Sequence, residues 1–501
     1  MQQDTKNNAR IFDLYESPKL DALQSSGHNG RQPQQQSRLV VVSGRTHSIV
    51  ANVLDKGFGD RKANHQLKTL LDNAFTGRDE SNRVDDDLWR GFAVFTTTTD
   101  GNRFQQISRH IARQSAQNKP SIWFMFTGLR PIVSHSVPAL MTIPAFKASV
   151  ETSAQMLSPL GVDGSECLTE TIDWKTEFNE RNIHRVFIAT AVHHMAFVDA
   201  MSAVGITADG YLGSSLGELM CLYMDGLCDR RHCLAICRAI KPPTGPHRLW
   251  SIIARNSWPE IQRHCMDRTD ICVFAHFADT YIMAVGREAA VRELSDVLTR
   301  LGTKVANFGS KPISQFVHAG NMFVPNMSKA LLDQLIKVEP ERTMNSKPSE
   351  RWLSTSKSIT NTGGTDAGFS VAESFANTLL SPILLKEAVD RLPADALVVN
   401  IAINSDLRDI ALSGRVQEPY VRQSESNLEP VFGINHLLRE IGLVFTAGHW
   451  PRDNTFIPAG PGPGPDGFGS DGTTRHLDPS GPGPGPVDGS TSAEFKNNAF
   501  L

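Results

Sequence analysis

Apolar and polar positions fall into blocks that read as alternating strands and helices between two polar ends. Residues 1–37 are rich in Gln, Asn, Ser and Gly, with little apolar content, and are expected to be disordered. Arg38-Leu39-Val40-Val41-Val42 opens a strand, and Thr46 is placed to cap a helix running to about Leu54. Leu67, Leu70, Leu71 and Phe75 share one face of a helix over 64–75, and 88–95 returns as a strand. Together these predict a small α/β linker domain over 38–118.

The run 121–128, Ser-Ile-Trp-Phe-Met-Phe-Thr-Gly, is apolar throughout and suits a central strand of a covered parallel sheet. Over 185–205 the helical period runs through Val186, Ala189, Val192, Met195, Ala196 and Val198. His193 and His194 on this helix are adjacent and therefore point apart, which suits packing rather than metal ligation. Beyond Pro242-Pro243 come a strand at 249–253, a helix at 258–265, strands at 271–275 and 281–285, a helix at 287–301 and a strand from 304. That βαββαβ order predicts a ferredoxin-like subdomain over 243–306. It is inserted into a larger α/β subdomain, 119–242 and 307–450, of hydrolase-like form with a central parallel sheet. A helix at 377–392, a buried strand at 396–403 and an amphipathic helix at 431–448 complete the latter. Gly-Pro repeats at 460–465 and 481–486 mark 451–501 as a disordered tail.

Charge narrows the partners. The 501 residues carry a net charge of −3 with both signs interspersed, which argues against nucleic acid as a principal partner. No apolar run is expected to span a bilayer, and residues 1–10 lack the hydrophobic region of a signal peptide. A cytoplasmic protein without a membrane partner follows as the expectation. Seven cysteines at irregular spacing, with no C-x-x-C pair, predict buried thiols rather than a disulfide framework or a metal site.

One stretch carries chemistry. Gly213-Ser214-Ser215-Leu216-Gly217 fits G-x-S-x-G, the nucleophile elbow, in which a strand turns sharply into a helix and presents a serine hydroxyl. Of the two serines only Ser215 has glycine at −2 and +2. The helix that begins there aims free N–H groups at the reacting centre. His318, where the chain re-enters the larger subdomain, is the candidate base.

Five short segments in order then carry a resemblance: 38–46 (Arg-Leu-Val-Val-Val-Ser-Gly-Arg-Thr), 122–128, 213–218, 351–356 (Arg-Trp-Leu-Ser-Thr-Ser) and 380–384 (Leu-Ser-Pro-Ile-Leu). Over about 38–450 the chain resembles the linker and malonyl/acetyl transferase region of animal, insect-like fatty acid synthase. The resemblance implies that Ser215 is acylated and that His318 activates it. It implies that the backbone N–H groups of Leu216 and Ile132 bind the oxyanion and that Arg238 holds the malonyl carboxylate. It further implies coenzyme A thioesters, malonyl-CoA or acetyl-CoA, as substrates rather than bound cofactors, and an acyl carrier protein as partner. Several positions depart from the family pattern. Ser214 replaces a histidine, and the glycine-rich oxyanion loop has become Gly128-Leu129-Arg130-Pro131-Ile132. Phe277 follows His276 in place of asparagine, Asn404 replaces a histidine, and Val317 and Ala319 flank the base. The alternative is therefore an impaired synthase-like fragment that serves as a non-enzymatic binding or scaffold module. An α/β-hydrolase fits less well, because no acidic third member is identifiable and the insertion is foreign to it.

Overall fold

The computed structural model describes residues 10–16, 36–56, 89–97, 103–114, 119–129, 137–164, 183–241, 248–312, 317–324, 326–339, 347–356, 369–402, 407–413 and 433–449. The helix expected at 64–75, the loop residues Arg130 to Ile132, Asn404 and the Gly-Pro tail lie outside them, as do 1–9 and 17–35 of the expected disordered N-terminus.

The N-terminal module is a four-stranded antiparallel sheet in the order β1-β2-β3-β4, formed by Arg10–Glu16, Ser37–Gly44, Trp89–Thr97 and Phe104–Arg113. Two of its strands were not read from the sequence. β1 lies inside the stretch expected to be disordered, where the apolar island Ile11-Phe12, Leu14-Tyr15 is swamped by its polar flanks. β4 is mostly polar and is recruited by pairing with β3 along its whole length. The helix His47–Lys56 starts as predicted, with Thr46 Oγ1 accepting from the Ile49 N–H at 3.3 Å.

The larger subdomain is organised on a second sheet that is parallel throughout, in the order β11-β6-β5-β13. Its strands are Ile122–Phe126 (β5), Gly210–Gly213 (β6), Trp352–Ser354 (β11) and Leu397–Ile401 (β13). The helix Ile183–Ala203 is long and apolar enough to cross a bilayer by length and composition, a property the reading of the sequence did not expect. It lies in the core, packed by the helices Pro144–Leu157 and Arg230–Ala239 and by the elbow helix Leu216–Met224. A helix that is apolar on nearly all sides is buried, and His193 and His194 serve packing. His194 meets the Phe126 ring edge-on and His193 stacks on Phe146.

Between these halves of the chain, Arg248–Ala254 (β7), Ile271–Ala278 (β8), Tyr281–Gly286 (β9) and Val305–Pro312 (β10) form an antiparallel sheet in the order β10-β7-β9-β8. The helices Trp258–Cys265 and Glu288–Arg300 cover it, giving the predicted βαββαβ order. Ile383–Leu384 (β12) then adds to β8 in parallel, so the insertion is stitched to the larger subdomain by backbone pairing.

This stitch corrects the expected helix at 377–392. The helix Val371–Leu380 ends at Ser381, whose backbone is extended (φ −94°, ψ 153°), and a separate short helix, Leu385–Asp390, follows β12. Pro382 is the cause. It has no N–H to continue the ladder and forces the preceding residue out of helical geometry.

The C-terminal helix Gly433–Thr446 packs on β2, β3 and β4 and on β13, joining the N-terminal sheet to the parallel one. Its Glu440 is fully buried and accepts from the Asn400 N–H of β13 at 3.0 Å, from Arg408, and from Arg439 at 3.4 Å. Burial opposes ionisation of Glu440. Arg408, His436 and Arg439 together nevertheless hold its carboxyl below the usual range.

Candidate active site

β6 ends at Gly213, Ser214 and Ser215 make the turn, and the elbow helix begins at Leu216. Ser215 has φ 55° and ψ −117°, a left-handed strained conformation for a residue with a side chain. The flanking glycines make it possible. A Cβ on Gly213 would stand 2.3 Å from the Gly217 carbonyl, and one on Gly217 would stand 2.2 Å from the Phe126 carbonyl oxygen. The close approach of turn, helix and neighbouring strand therefore excludes any larger residue at −2 and +2.

Ser215 occupies the N-cap position, yet its side chain makes no capping hydrogen bond. An N-cap serine ordinarily spends its oxygen on the first turn. Here the Gly217 and Glu218 N–H groups instead reach the backbone carbonyls of Ser214 (2.8 Å) and Ser215 (3.0 Å). The Ser215 hydroxyl is thus left uncommitted at the positive end of the helix, and the Leu216 N–H has no intramolecular acceptor among the described residues.

Ser214, where the resemblance leads one to expect histidine, has a definite task. Its hydroxyl accepts the Gly128 N–H at 3.1 Å, clamping the start of the loop that follows β5. A Cβ built on Gly128 would lie 3.1 Å from Ser215 Cβ, so the backbone at Gly128 lies close against the nucleophile. We expect Ser214→Ala to leave Ser215 as the acylated residue but to slow acylation by about five- to tenfold, the equivalent of one neutral hydrogen bond near 1 kcal/mol. Burst kinetics with an acyl thioester measure this, and an unchanged rate would show the clamp to be idle.

His318 lies near the start of the helix Val317–Phe323. Its Nδ1 is 2.9 Å from the Ser381 carbonyl oxygen, at the break caused by Pro382. A carbonyl only accepts, so Nδ1 carries the proton and Nε2 presents a lone pair. Nε2 is buried and has no partner among the described residues, the state of a base waiting for a hydroxyl. Burial pushes the imidazole down to about 4, although the Ser381 and Thr378 carbonyls favour its protonated form. No hydrogen bond joins His318 to Ser215. The helix Val371–Leu380 touches both the His318 helix and the elbow helix.

Buried neutral histidines make the fold acid-sensitive. His194, His318 and His436 are lowered by burial to about 3, 4 and 4. Their folded values lie below the unfolded value, so the unfolded chain binds more protons as pH falls below about 6.5, and stability declines. Glu218, raised by burial to about 7, acts in the opposite sense over the same interval. With His110, which burial also lowers to about 4, the net loss between pH 7 and pH 5 at about 1.4 kcal/mol per unit is about 4–6 kcal/mol. Urea unfolding at the two pH values measures it, and equal or greater stability at pH 5 would contradict it.

Arg238 lies in the last turn of the helix Arg230–Ala239, whose start is fixed by Arg230 bonding Asp199 (2.7 Å), Ser149 Oγ (2.8 Å) and Ser153 Oγ (3.1 Å). Its half-buried guanidinium has a buried Nε without a hydrogen-bond partner among the described residues. It stands near His184, which burial and then the charges of Arg238 and Arg185 hold below the usual imidazole range. No hydrogen bond links Arg238 to Ser215 or His318. Ile132, the second expected oxyanion position, lies outside the described residues.

Sequence reasoning missed Glu218. It is fully buried and accepts from Trp352 Nε1 (2.8 Å), the Ser354 hydroxyl (3.3 Å) and the Thr355 N–H. A signal was present, since Glu218 is the one charged residue in the otherwise apolar run Leu216–Met224. A carboxylate on such a helix is buried with it and needs partners.

No family model matches the sequence. Solved structures do resemble the fold. The acyltransferase domain from module 8 of the salinomycin polyketide synthase aligns with a TM-score of 0.57 at 13% identity, covering 83% of this chain and 97% of that one. The acyl transferase domain of SpnD, in complex with 2-(pent-4-yn-1-yl)malonyl, gives 0.55 at 15% identity, covering 84% and 98%. The acyltransferase domain from the second module of the salinomycin synthase gives 0.53 at 17%, covering 78% and 92%. The chain therefore has the two-subdomain α/β fold of synthase acyltransferase domains.

Proposed function

We propose that the protein is an S-acyltransferase that moves a malonyl or acetyl group from coenzyme A to the phosphopantetheine thiol of an acyl carrier protein. We assign it to fatty acid synthesis of the animal type, as its sequence resemblance implies, and place it in the cytoplasm. The observation that carries the proposal is the Ser215 backbone: a strained elbow at a helix N-terminus whose hydroxyl makes no hydrogen bond among the described residues.

In the forward half-reaction Ser215 Oγ attacks the thioester carbonyl as its proton passes to His318 Nε2. The developing oxyanion meets the Leu216 N–H and the helix dipole, the arrangement that contributes most in acyl transfer. Collapse of the adduct breaks the carbon–sulfur bond, and His318 returns the proton to the departing thiolate. The second half-reaction runs in reverse, with the carrier thiol attacking the ester on Ser215. The Ser215–His318 hydrogen bond is proposed to form only as substrate enters, since catalytic hydrogen bonds are often long or unmade in unliganded sites.

Arg238 is proposed to pair with the malonyl carboxylate. We expect Arg238→Ala to weaken malonyl transfer about ten- to a hundredfold while sparing acetyl transfer, because only malonyl offers a carboxylate for a charge-assisted pair. Equal loss with both donors would make Arg238 structural. The function itself is tested by incubating the protein with malonyl-CoA and a carrier bearing phosphopantetheine. Malonylated carrier is the expected product, and release of free malonate alone would mark a hydrolase instead.

A further inference from the structure

The buried carboxylate of Glu218 is one end of a hydrogen-bonded chain that runs from the elbow helix to the groups holding the base. Its Oε2 accepts the Trp352 indole N–H at 2.8 Å, and its Oε1 accepts the Thr355 backbone N–H and, at 3.3 Å, the Ser354 hydroxyl. Ser354 Oγ lies 3.0 Å from Ser356 Oγ, which in turn lies 3.4 Å from Thr378 Oγ1, a hydroxyl that also has the Ser374 carbonyl at 3.2 Å as an acceptor. Thr378 and Ser381 then supply the backbone carbonyls that face the His318 imidazole. On the other side, Thr355 Oγ1 donates to the Gly213 carbonyl at 2.6 Å, fixing the strand end two residues before the nucleophile. One carboxylate therefore braces both the elbow and, through three hydroxyls, the helix end that orients the base.

We infer that Glu218 is a positioning residue whose ionised carboxylate sets the alignment of Ser215 and His318, so that acylation responds to Glu218 ionisation as well as to the base. The inference rests on the transferase chemistry proposed above. Two of the three donors, an indole N–H and a backbone N–H, cannot reverse, so each carboxylate oxygen is already committed as an acceptor. Protonation has room only on the side of Ser354, whose hydroxyl must then turn from donor to acceptor. That reversal travels along Ser356 toward Thr378. Burial pushes Glu218 up to about 7, against the lowering effect of its bonds from Thr355, Trp352 and Ser354, so the reversal falls in the neutral range. The titratable group facing it is Cys221, one turn on, whose thiol burial and Glu218 drive well above its ordinary value. Burial and the bonds from Thr355, Trp352 and Ser354, rather than a charged side chain of β5, β6, β11 or the helices Ile183–Ala203, Arg230–Ala239 and Val371–Leu380, are the main influences on it among the described residues. Tyr211 is the titratable group on β6.

Two probes separate this inference from the proposed function: malonyl-CoA, and a fluorophosphonate reagent that labels any activated serine. The labelling rate of Ser215 is followed from pH 5 to pH 9 in the wild type, Glu218→Gln and Ser354→Ala. Glutamine retains the shape but turns an amide donor toward one of the fixed donors, and its charge no longer depends on pH. The wild type should show a limb near pH 7 in the rates of both reagents. In Glu218→Gln that limb should vanish, with the rate at pH 8 lowered about tenfold or more and the KM for malonyl-CoA unchanged. Ser354→Ala cuts the chain one step further on, leaves both fixed donors in place, and should lose the same limb with a smaller fall in rate. Should Glu218→Gln fail to fold, Ser354→Ala decides the matter alone. A limb near pH 7 that persists in the folded variants would overturn the inference and leave the transferase reading intact. A wild-type Ser215 labelled by neither reagent would overturn both.

Discussion

Alanine in place of Ser215 should yield a folded protein that gains no acyl group from malonyl-CoA and transfers malonyl about 10⁴-fold or more slowly. The reason lies in the geometry of the elbow. The Ser215 side chain makes no capping bond, so its oxygen is lost without a structural partner being stranded. Alanine also keeps the Cβ that already tolerates φ 55°, so thermal stability should change little. The loss is therefore expected in chemistry alone. Persistence of an acyl adduct in Ser215→Ala, or loss of fold in place of loss of chemistry, would contradict the assignment.

The largest effect on stability is expected at Glu440. Replacing it by leucine leaves the Arg408 and Arg439 guanidinium groups and the Asn400 N–H without their shared acceptor in the core. Breaking a buried ion pair from one side costs about 3–5 kcal/mol, because the remaining charge stays out of water without compensation. The double replacement Glu440→Leu with Arg408→Met removes one of the two stranded charges and should recover part of that loss. Denaturant unfolding measures both. A change under about 1 kcal/mol in the single variant would show that water reaches the network after all. Because the C-terminal helix joins the N-terminal sheet to the parallel one, the loss should appear in a single unfolding transition.

The parts of the site legible in the sequence are those fixed by short-range sterics. Gly213 and Gly217 announce the elbow because the clashes they avoid lie within the turn and its adjoining strand. His318 was found from topology, at the point where the chain returns from the βαββαβ insertion. Its acceptor was not, because the hydrophobic period from 377 to 392 hid the break that Pro382 makes, and the break is what presents the Ser381 carbonyl. Glu218 and Ser214 depend on partners 134 and 86 residues away, which no local pattern records. β1 and β4 escaped notice for a related reason: a short or polar strand becomes a strand through the neighbour it pairs with. The βαββαβ insertion was legible because each of its elements carries a strong period of its own.

Intact mass measurement of the wild-type protein after brief incubation with malonyl-CoA, followed by mapping of the modified peptide, tests the central claim most directly. A gain of one malonyl group is expected, located on Ser215 and discharged when a carrier bearing phosphopantetheine is added. An unmodified protein, or malonyl on any other residue, would contradict it.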